Sequence, residues 1–256
     1  MVVFSSCTDF LGRLLMSNDI FLQHSAVWER KPILRLLYTE WYREIVSWLR
    51  PGRTVEVGGG TGNLKEFFPG VLCTDVVRLP WLDTVMDAQF LPFASNSLTN
   101  IVLFDTLHHI ENVPLFLNEA MRTLQPHGRL VIMDPYISVL SWPIYHFLHP
   151  EPVDLGQDPF QLQLPRENRS PFDGNQAIAT LIFERSFETF CRQYPQFKRL
   201  HFRRLAFFAY PLSGGFDRPS LLPVFLVRPV LALERVLHRL NRFLAFRVLI
   251  VLEKSK

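Results

Sequence analysis

Residues Thr54-Val55-Glu56-Val57-Gly58-Gly59-Gly60-Thr61-Gly62-Asn63 constrain this chain more than any other stretch. A short apolar, β-branched run carries one acid and then breaks into four glycines within five residues. A strand ending this way can turn sharply, accept φ > 0 and bring bare backbone N–H groups against a ligand. The glycines fall as Gly58-x-Gly60-x-Gly62, with Glu56 two residues before the first. Asn63 stands where G-x-G-x-x-G would need its third glycine, so the dinucleotide-binding fingerprint does not match.

The chain has 256 residues, 48% hydrophobic and 20% charged, and its mean hydropathy is slightly positive. That length suits one large α/β domain or two small ones, and the composition excludes wholesale disorder. A net charge of +3 is too small to argue for nucleic acid. Cys7, Cys73 and Cys191 are far apart and form no C-x-x-C, so a reducing cytosol is expected, without a disulfide framework or a zinc site. Asp9, Arg13 and Asp19 interrupt the apolar N-terminus, which argues against a signal peptide. No uncharged apolar window reaches the ~20 residues of a membrane-spanning helix. A soluble or surface-bound protein is therefore expected.

The apolar spacing of residues 25–50 predicts a helix stopped by Pro51-Gly52. Strands are predicted at Thr54–Val57, Val71–Thr74, Thr84–Met86, Asn100–Phe104 and Arg129–Met133, with helices near Asn63–Phe68 and over 113–124. This alternation implies a doubly wound, mostly parallel sheet in a three-layer α/β/α arrangement. Residues 136–175 are proline-punctuated and irregular, apart from a short helix at 138–148; a long irregular segment in a compact domain suggests a lid or insertion. A helix from Gly174-Asn175 to Tyr194 and strands at Phe197–Tyr210 and Phe246–Glu253 complete the pattern. The organisation expected is one domain. It has an N-terminal helical cap (1–52), a core (53–135), the 136–175 segment and a C-terminal half (176–256).

In an open parallel sheet, ligands bind outside the carboxyl ends of the strands. Asp75 ends the second strand, nineteen residues after Glu56, where an acid can accept hydrogen bonds from ribose hydroxyls. Next comes Asp87-Ala88-Gln89-Phe90-Leu91-Pro92-Phe93, then Asn96–Val102, Leu107-His108-His109-Ile110 and Leu117–Leu130. Together with the glycine loop, these motifs over residues 53–135 resemble the class I S-adenosylmethionine-dependent methyltransferases, type 11 (UbiE-like) group. The match is imperfect: Thr99 or Asn100 stands where the family favours Asp, and Leu124–Gly128 replaces Leu-Lys-Pro-Gly-Gly.

The resemblance implies a Rossmann-like, seven-stranded sheet with an antiparallel last strand, and S-adenosylmethionine as cofactor. Glu56 would orient the methionine end through the loop, and Gly58, Gly60 and Gly62 would admit it. Asp75 would hold ribose, Asp87 and Ala88 adenine, and Asp105 would join the cofactor site. Only eleven residues separate Asp75 from Asp87, so the helix most relatives place there has no room. Trp81 then reads two ways, as a cover for adenine or as sheet packing.

Methyl transfer from a sulfonium needs alignment and, at most, a base for the acceptor. The loop after the fourth strand offers His108 and His109, either a base or a structural pair at a helix start. No metal is expected, because His146, His149, Glu151 and Asp154 lack ligand spacing. The loop has no N/D-P-P-Y/F signature, which argues against DNA and protein-glutamine acceptors. A small-molecule or lipid-linked acceptor is expected, methylated at oxygen, carbon or nitrogen, with Tyr38, Tyr42 and Tyr136 as its candidate contacts.

Over 218–244, Val230, Leu233, Leu237, Leu240 and Leu244 share one helical side, opposite Arg235, His238, Arg239 and Arg242. The stretch reads either as a helix packed on the sheet, the favoured reading, or as a membrane-surface element. The second would put a cytoplasmic protein peripherally at the inner membrane surface. Two other functions fit less well: a non-catalytic methyltransferase-like module docking to a membrane or complex, and an NAD(P)-dependent oxidoreductase. Sequence does not fix the oligomeric state.

Overall fold

The computed structural model describes residues 19–164 and 169–256. Cys7, Asp9 and Arg13, the start of the N-terminal cap and residues 165–168 of the irregular segment lie outside the described residues. Seven strands form one sheet: β1 (Thr54–Val57), β2 (Val71–Asp75), β3 (Thr84–Val85), β4 (Leu98–Phe104), β5 (Leu124–Pro135), β6 (Phe197–Leu205) and β7 (Arg247–Lys254). Their order is β3-β2-β1-β4-β5-β7-β6. Strands β1 to β5 are mutually parallel, and β7 runs antiparallel between β5 and β6. The doubly wound sheet with an antiparallel last strand is therefore as expected.

All seven residues of β4 are buried. Ile101 and Leu103 enter the core on one face, with Phe116 and Leu117 of α3 (Val113–Thr123). Val102 and Phe104 enter the core on the other face, with Leu37 and Trp41 of α2 (Pro32–Ser47). Because both faces are covered, Ile101–Phe104 reads as an unbroken apolar run rather than an alternating one.

Four elements depart from the sequence reading. The 25–50 helix is two pieces, α1 (residues 19–30) and α2, separated by Lys31 at φ −111°, ψ 89°. Pro32 follows it, and a residue before proline is pushed out of the helical region. Strand β5 begins at Leu124: Pro126-His127-Gly128 ends α3 but is absorbed as a register shift between Leu98 and Asn100 pairings. The helix expected up to Tyr194 is interrupted. A short α5 (Ile178–Thr180) runs into a wide π turn at Leu181–Arg185, and α6 (Phe187–Gln193) follows. Strand β6 stops at Leu205, because Ala206 turns at φ +62°, and Tyr210 lies instead on α7 (Ala209–Ser213).

The remaining helices are α4 (Ser141–Leu148), α8 (Val224–Val236) and α9 (Asn241–Leu244). In α8 the buried residues are Val227 and Glu234, with Val230 and Leu231 packed beside them. The stripe expected to bury only partly does so, since Leu233 and Leu240 are half exposed. Among the described residues, no helix is long and apolar enough to cross a membrane. The carboxyl ends of β1, β2, β4 and β5 share one edge with the start of β7, because Pro135 pairs with Arg247. That edge carries Gly58, Asp75, Asp105, Asp134 and Arg247.

Candidate active site

The glycine loop turns as its sequence requires. Gly58, Gly60 and Gly62 have φ of +70°, +47° and +73°. A Cβ on Gly58 would fall 2.2 Å from Thr106 Cγ2, so only glycine fits both the backbone and its neighbour. Gly59 N–H donates to Thr74 O (2.8 Å), and Gly60 N–H donates to Asp75 Oδ2 (3.0 Å).

Asp75 ends β2 as expected. Its other oxygen accepts Val77 N–H, which leaves part of the carboxylate's acceptor capacity for hydroxyl donors. Glu56 is buried behind the loop. Its Oε2 accepts Cys73 Sγ–H (2.9 Å) and lies 3.1 Å from where a Gly59 Cβ would sit. Burial pushes its pKa up to about 7 against the opposing effect of the Cys73 bond. Asp87 is exposed and accepts Gln89 N–H, while Ala88 is buried beside it.

No helix forms between Asp75 and Asp87, in line with the short spacing. Trp81 packs against the glycine loop. Its Nε1–H donates to Gly60 O (2.8 Å), and its ring faces Gly62. Phe21 of α1 also reaches Gly60 and contacts Phe172 of the irregular segment, with ring centroids 5.3 Å apart. These donors and acids fit S-adenosylmethionine: a glycine cradle, an acid at the end of β2 and an acid-bearing turn after β3.

Beside the loop, His108 is buried between two carboxylates. Its Nδ1 is 3.0 Å from Asp134 Oδ1, and its Nε2 is 3.1 Å from Glu151 Oε2. Burial alone would lower its pKa, but the two acids lift it to about 10, so both ring nitrogens carry protons at neutral pH. The His109 ring lies 4.0 Å from the His108 ring. Burial and the charge of His108 push it down to about 4, so it is neutral. Burial works against Glu151, yet His108 holds it down at about 2.

Donor atoms of His108, His109 and Glu151 lie within 4.8 Å of one another, a set that could hold a metal ion. No sequence pattern brings Glu151 here. The irregular segment folds back onto the histidine loop: Asn175 N–H donates to His108 O (3.0 Å), and Gln176 N–H to Pro152 O (3.0 Å). His109 Nδ1, Asp134 Oδ2 and Gln176 Oε1 are buried without a hydrogen-bond partner among the described residues.

Asp105 sits at φ +52° and takes a short ion pair from Arg247. Arg247 is buried, donates to Tyr210 Oη (2.8 Å) and Tyr38 Oη (3.3 Å), and lies over the rings of Trp41 and Tyr210. Tyr38 and Tyr42 thus share an aromatic wall with Phe104. Tyr136 is not with them: it belongs to the core on the opposite face of the sheet, and its hydroxyl donates to Glu184 Oε2 (2.6 Å). Arg247 and Asp134 were not singled out from the sequence, and Glu151 was weighed only as a metal ligand. Asp134 was findable, since it ends a strand at the binding edge.

A methyltransferase-domain model matches residues 73–132. The ubiquinone/menaquinone biosynthesis C-methyltransferase UbiE of Cereibacter sphaeroides is 32% identical over 121 residues, 37% of this chain and 48% of the relative. Over this stretch the chain is similar to class I methyltransferases. The UbiE of Paracoccus denitrificans is 27% identical over 184 residues, 57% of this chain and 72% of the relative. The chain thus spans about half the length of the first of these curated relatives. Among solved structures, a Thermotoga maritima S-adenosylmethionine-dependent methyltransferase, described as a possible histamine N-methyltransferase, superposes with a TM-score of 0.53. It is 16% identical, and the alignment covers 93% of this chain and 99% of that one. A similar enzyme from Archaeoglobus fulgidus gives 0.51 at 14% identity over 86% and 94%. These two establish the fold alone.

Proposed function

We propose that the protein transfers a methyl group from S-adenosylmethionine to a small, lipid-like acceptor of the quinone-precursor type. The observation that carries this reading is Asp75, held by Gly60 N–H at the carboxyl end of β2 in a sheet of methyltransferase order. When bound, the cofactor supplies a methyl group already activated on a sulfonium. Gly58, Gly60 and Gly62 receive its methionine end, and Glu56 stiffens the loop from behind. Asp75 accepts from the ribose hydroxyls, while Asp87 and the buried Ala88 hold adenine. Asp105, neutralised by Arg247, faces the same edge without adding net charge there.

His109 is the base in this reading, because a neutral imidazole can accept a proton and the charged His108 cannot. His108, clamped by Asp134 and Glu151, positions its neighbour and ties the irregular segment over the acceptor. The unpartnered atoms of His109, Asp134 and Gln176 suit an acceptor with a hydroxyl or carbonyl. Tyr38 and Tyr42 line the aromatic side of the same edge, where a quinone-like ring can pack; Tyr136 keeps a structural role. The chain is read as one domain in which 136–175 closes the site.

The test is transfer of label from methyl-tritiated S-adenosylmethionine into the lipid extract of a bacterial membrane. Label should appear in the organic phase, and Asp75→Ala should abolish it. Absence of label, or equal label with Asp75→Ala, overturns this reading.

A further inference from the structure

The stretch from Arg218 to Leu244 is apolar on more sides than the protein covers. Helix α8 is fixed to the body by Val227 and by Glu234, whose Oε1 accepts Phe208 N–H and Ala209 N–H (2.8 Å each). Its outward side leaves Phe225 78% and Val236 75% exposed, and Leu221, just before it, is 78% exposed. Helix α4 extends this surface with Phe147 at 70%. The two are neighbours at both ends: Leu140 N–H donates to Phe243 O (3.0 Å), and Arg218 Nη2 donates to Leu148 O (2.7 Å).

The charge on this surface has one sign. Residues 218–244 hold five arginines and one acid, Glu234, which is turned inward. Arg235 and Arg242 reach Glu40 and Glu184, at 3.9 and 3.4 Å, yet stay largely exposed. Arg228 and Arg239 are exposed and have no ion pair among the described residues. Aromatic and aliphatic side chains projecting between unpaired arginines match a bilayer interface with anionic headgroups. A buried helix–helix contact would leave those charges desolvated. Helix α4 also runs directly into His149-Pro150-Glu151, so the surface is continuous with the segment that reaches His108.

We propose that the α4 and α8–α9 face docks the protein on an anionic lipid surface, with Phe147, Leu221, Phe225 and Val236 in the interface and Arg228 and Arg239 on headgroups. Docking does not depend on turnover, so its failure and the failure of methyl transfer are separate results.

The test is flotation of the whole protein with phosphatidylcholine vesicles and with vesicles of equal phosphatidylcholine and phosphatidylglycerol. Binding should be about tenfold tighter to the anionic vesicles and weaken at high salt. Arg228→Glu with Arg239→Glu should lose about tenfold, and Phe147→Asp with Phe225→Asp should abolish binding. All four positions are exposed, and unchanged thermal melting confirms that the variants fold. Equal binding to both vesicles, or none, overturns the proposal. So does a dimer in sedimentation that Phe225→Asp disperses, which would make the face a contact between copies.

Discussion

His108 and Glu151 meet with Nε2 and Oε2 3.1 Å apart, joining the loop after β4 to a segment without regular structure. Two adjacent histidines here carry different charge states: Asp134 and Glu151 outweigh burial at His108, while burial and the charge of His108 act on His109. His108, with a second carboxylate at Asp134, stays protonated, and His109 stays neutral.

Removing the base should cost rate rather than binding. His109→Asn is expected to lower kcat about 100-fold with little change in the KM for S-adenosylmethionine. A KM effect without a kcat effect would assign His109 to binding instead. The His109 pKa of about 4 predicts a wild-type rate that is flat through neutral pH and falls only toward pH 4.

Glu151→Gln tests the clamp through stability. The folded pKa of His108 is raised from 6.5 to about 10, so its contribution is complete below 6.5 and lost as pH rises through 10. The Glu151 pKa is lowered from 4.5 to about 2, so its contribution is complete above 4.5 and lost as pH falls through 2. The gap in melting temperature between wild type and Glu151→Gln should be widest from pH 4.5 to 6.5 and close on either side. A pH-independent gap would mean that the pair contributes packing alone.

Glu56 works in the opposite sense. Its pKa rises from 4.5 to about 7 on folding, which favours the protonated form in the native protein. That leaves a penalty of roughly 3 kcal/mol once both states are ionised. Glu56→Gln should therefore melt higher than wild type at about pH 8 and no higher near pH 4. Thermal scans at the two pH values decide this.

Arg247→Met should cost about 3 kcal/mol in urea unfolding, because it leaves Asp105 without its cation at a partly buried site. Adding Asp105→Asn should restore part of the loss, and the double-mutant cycle measures the coupling. Simple additivity would show that Arg247 acts through its aromatic contacts instead.

The sequence made the cofactor half of the fold legible because local chemistry dictates it. Gly58-x-Gly60-x-Gly62 and Asp75 follow from a strand end and its turn, and Asp87 from the resemblance of residues 87–93 to the family's segment. The acceptor half was not legible. Glu151 reaches His108 only because Asn175 and Gln176 fold the segment back, and no periodicity encodes that return. Arg247 reads as an ordinary start to a strand until the antiparallel pairing of β5 with β7 sets it at the binding edge. Tyr136 looked like a partner of Tyr38 and Tyr42, but the chain leaving β5 carries it to the other face of the sheet, where Glu184 takes its hydroxyl. Tyr210 changed element because Ala206 turns the chain at φ +62°.

The most direct measurement of the central claim is calorimetric titration of the protein with S-adenosylmethionine, beside Asp75→Ala and an NADH control. One cofactor should bind per chain, at least about tenfold more weakly in Asp75→Ala from the lost hydrogen bonds to a charged group, and NADH should give no heat. Undiminished binding in Asp75→Ala, or binding of NADH in place of S-adenosylmethionine, would contradict that claim.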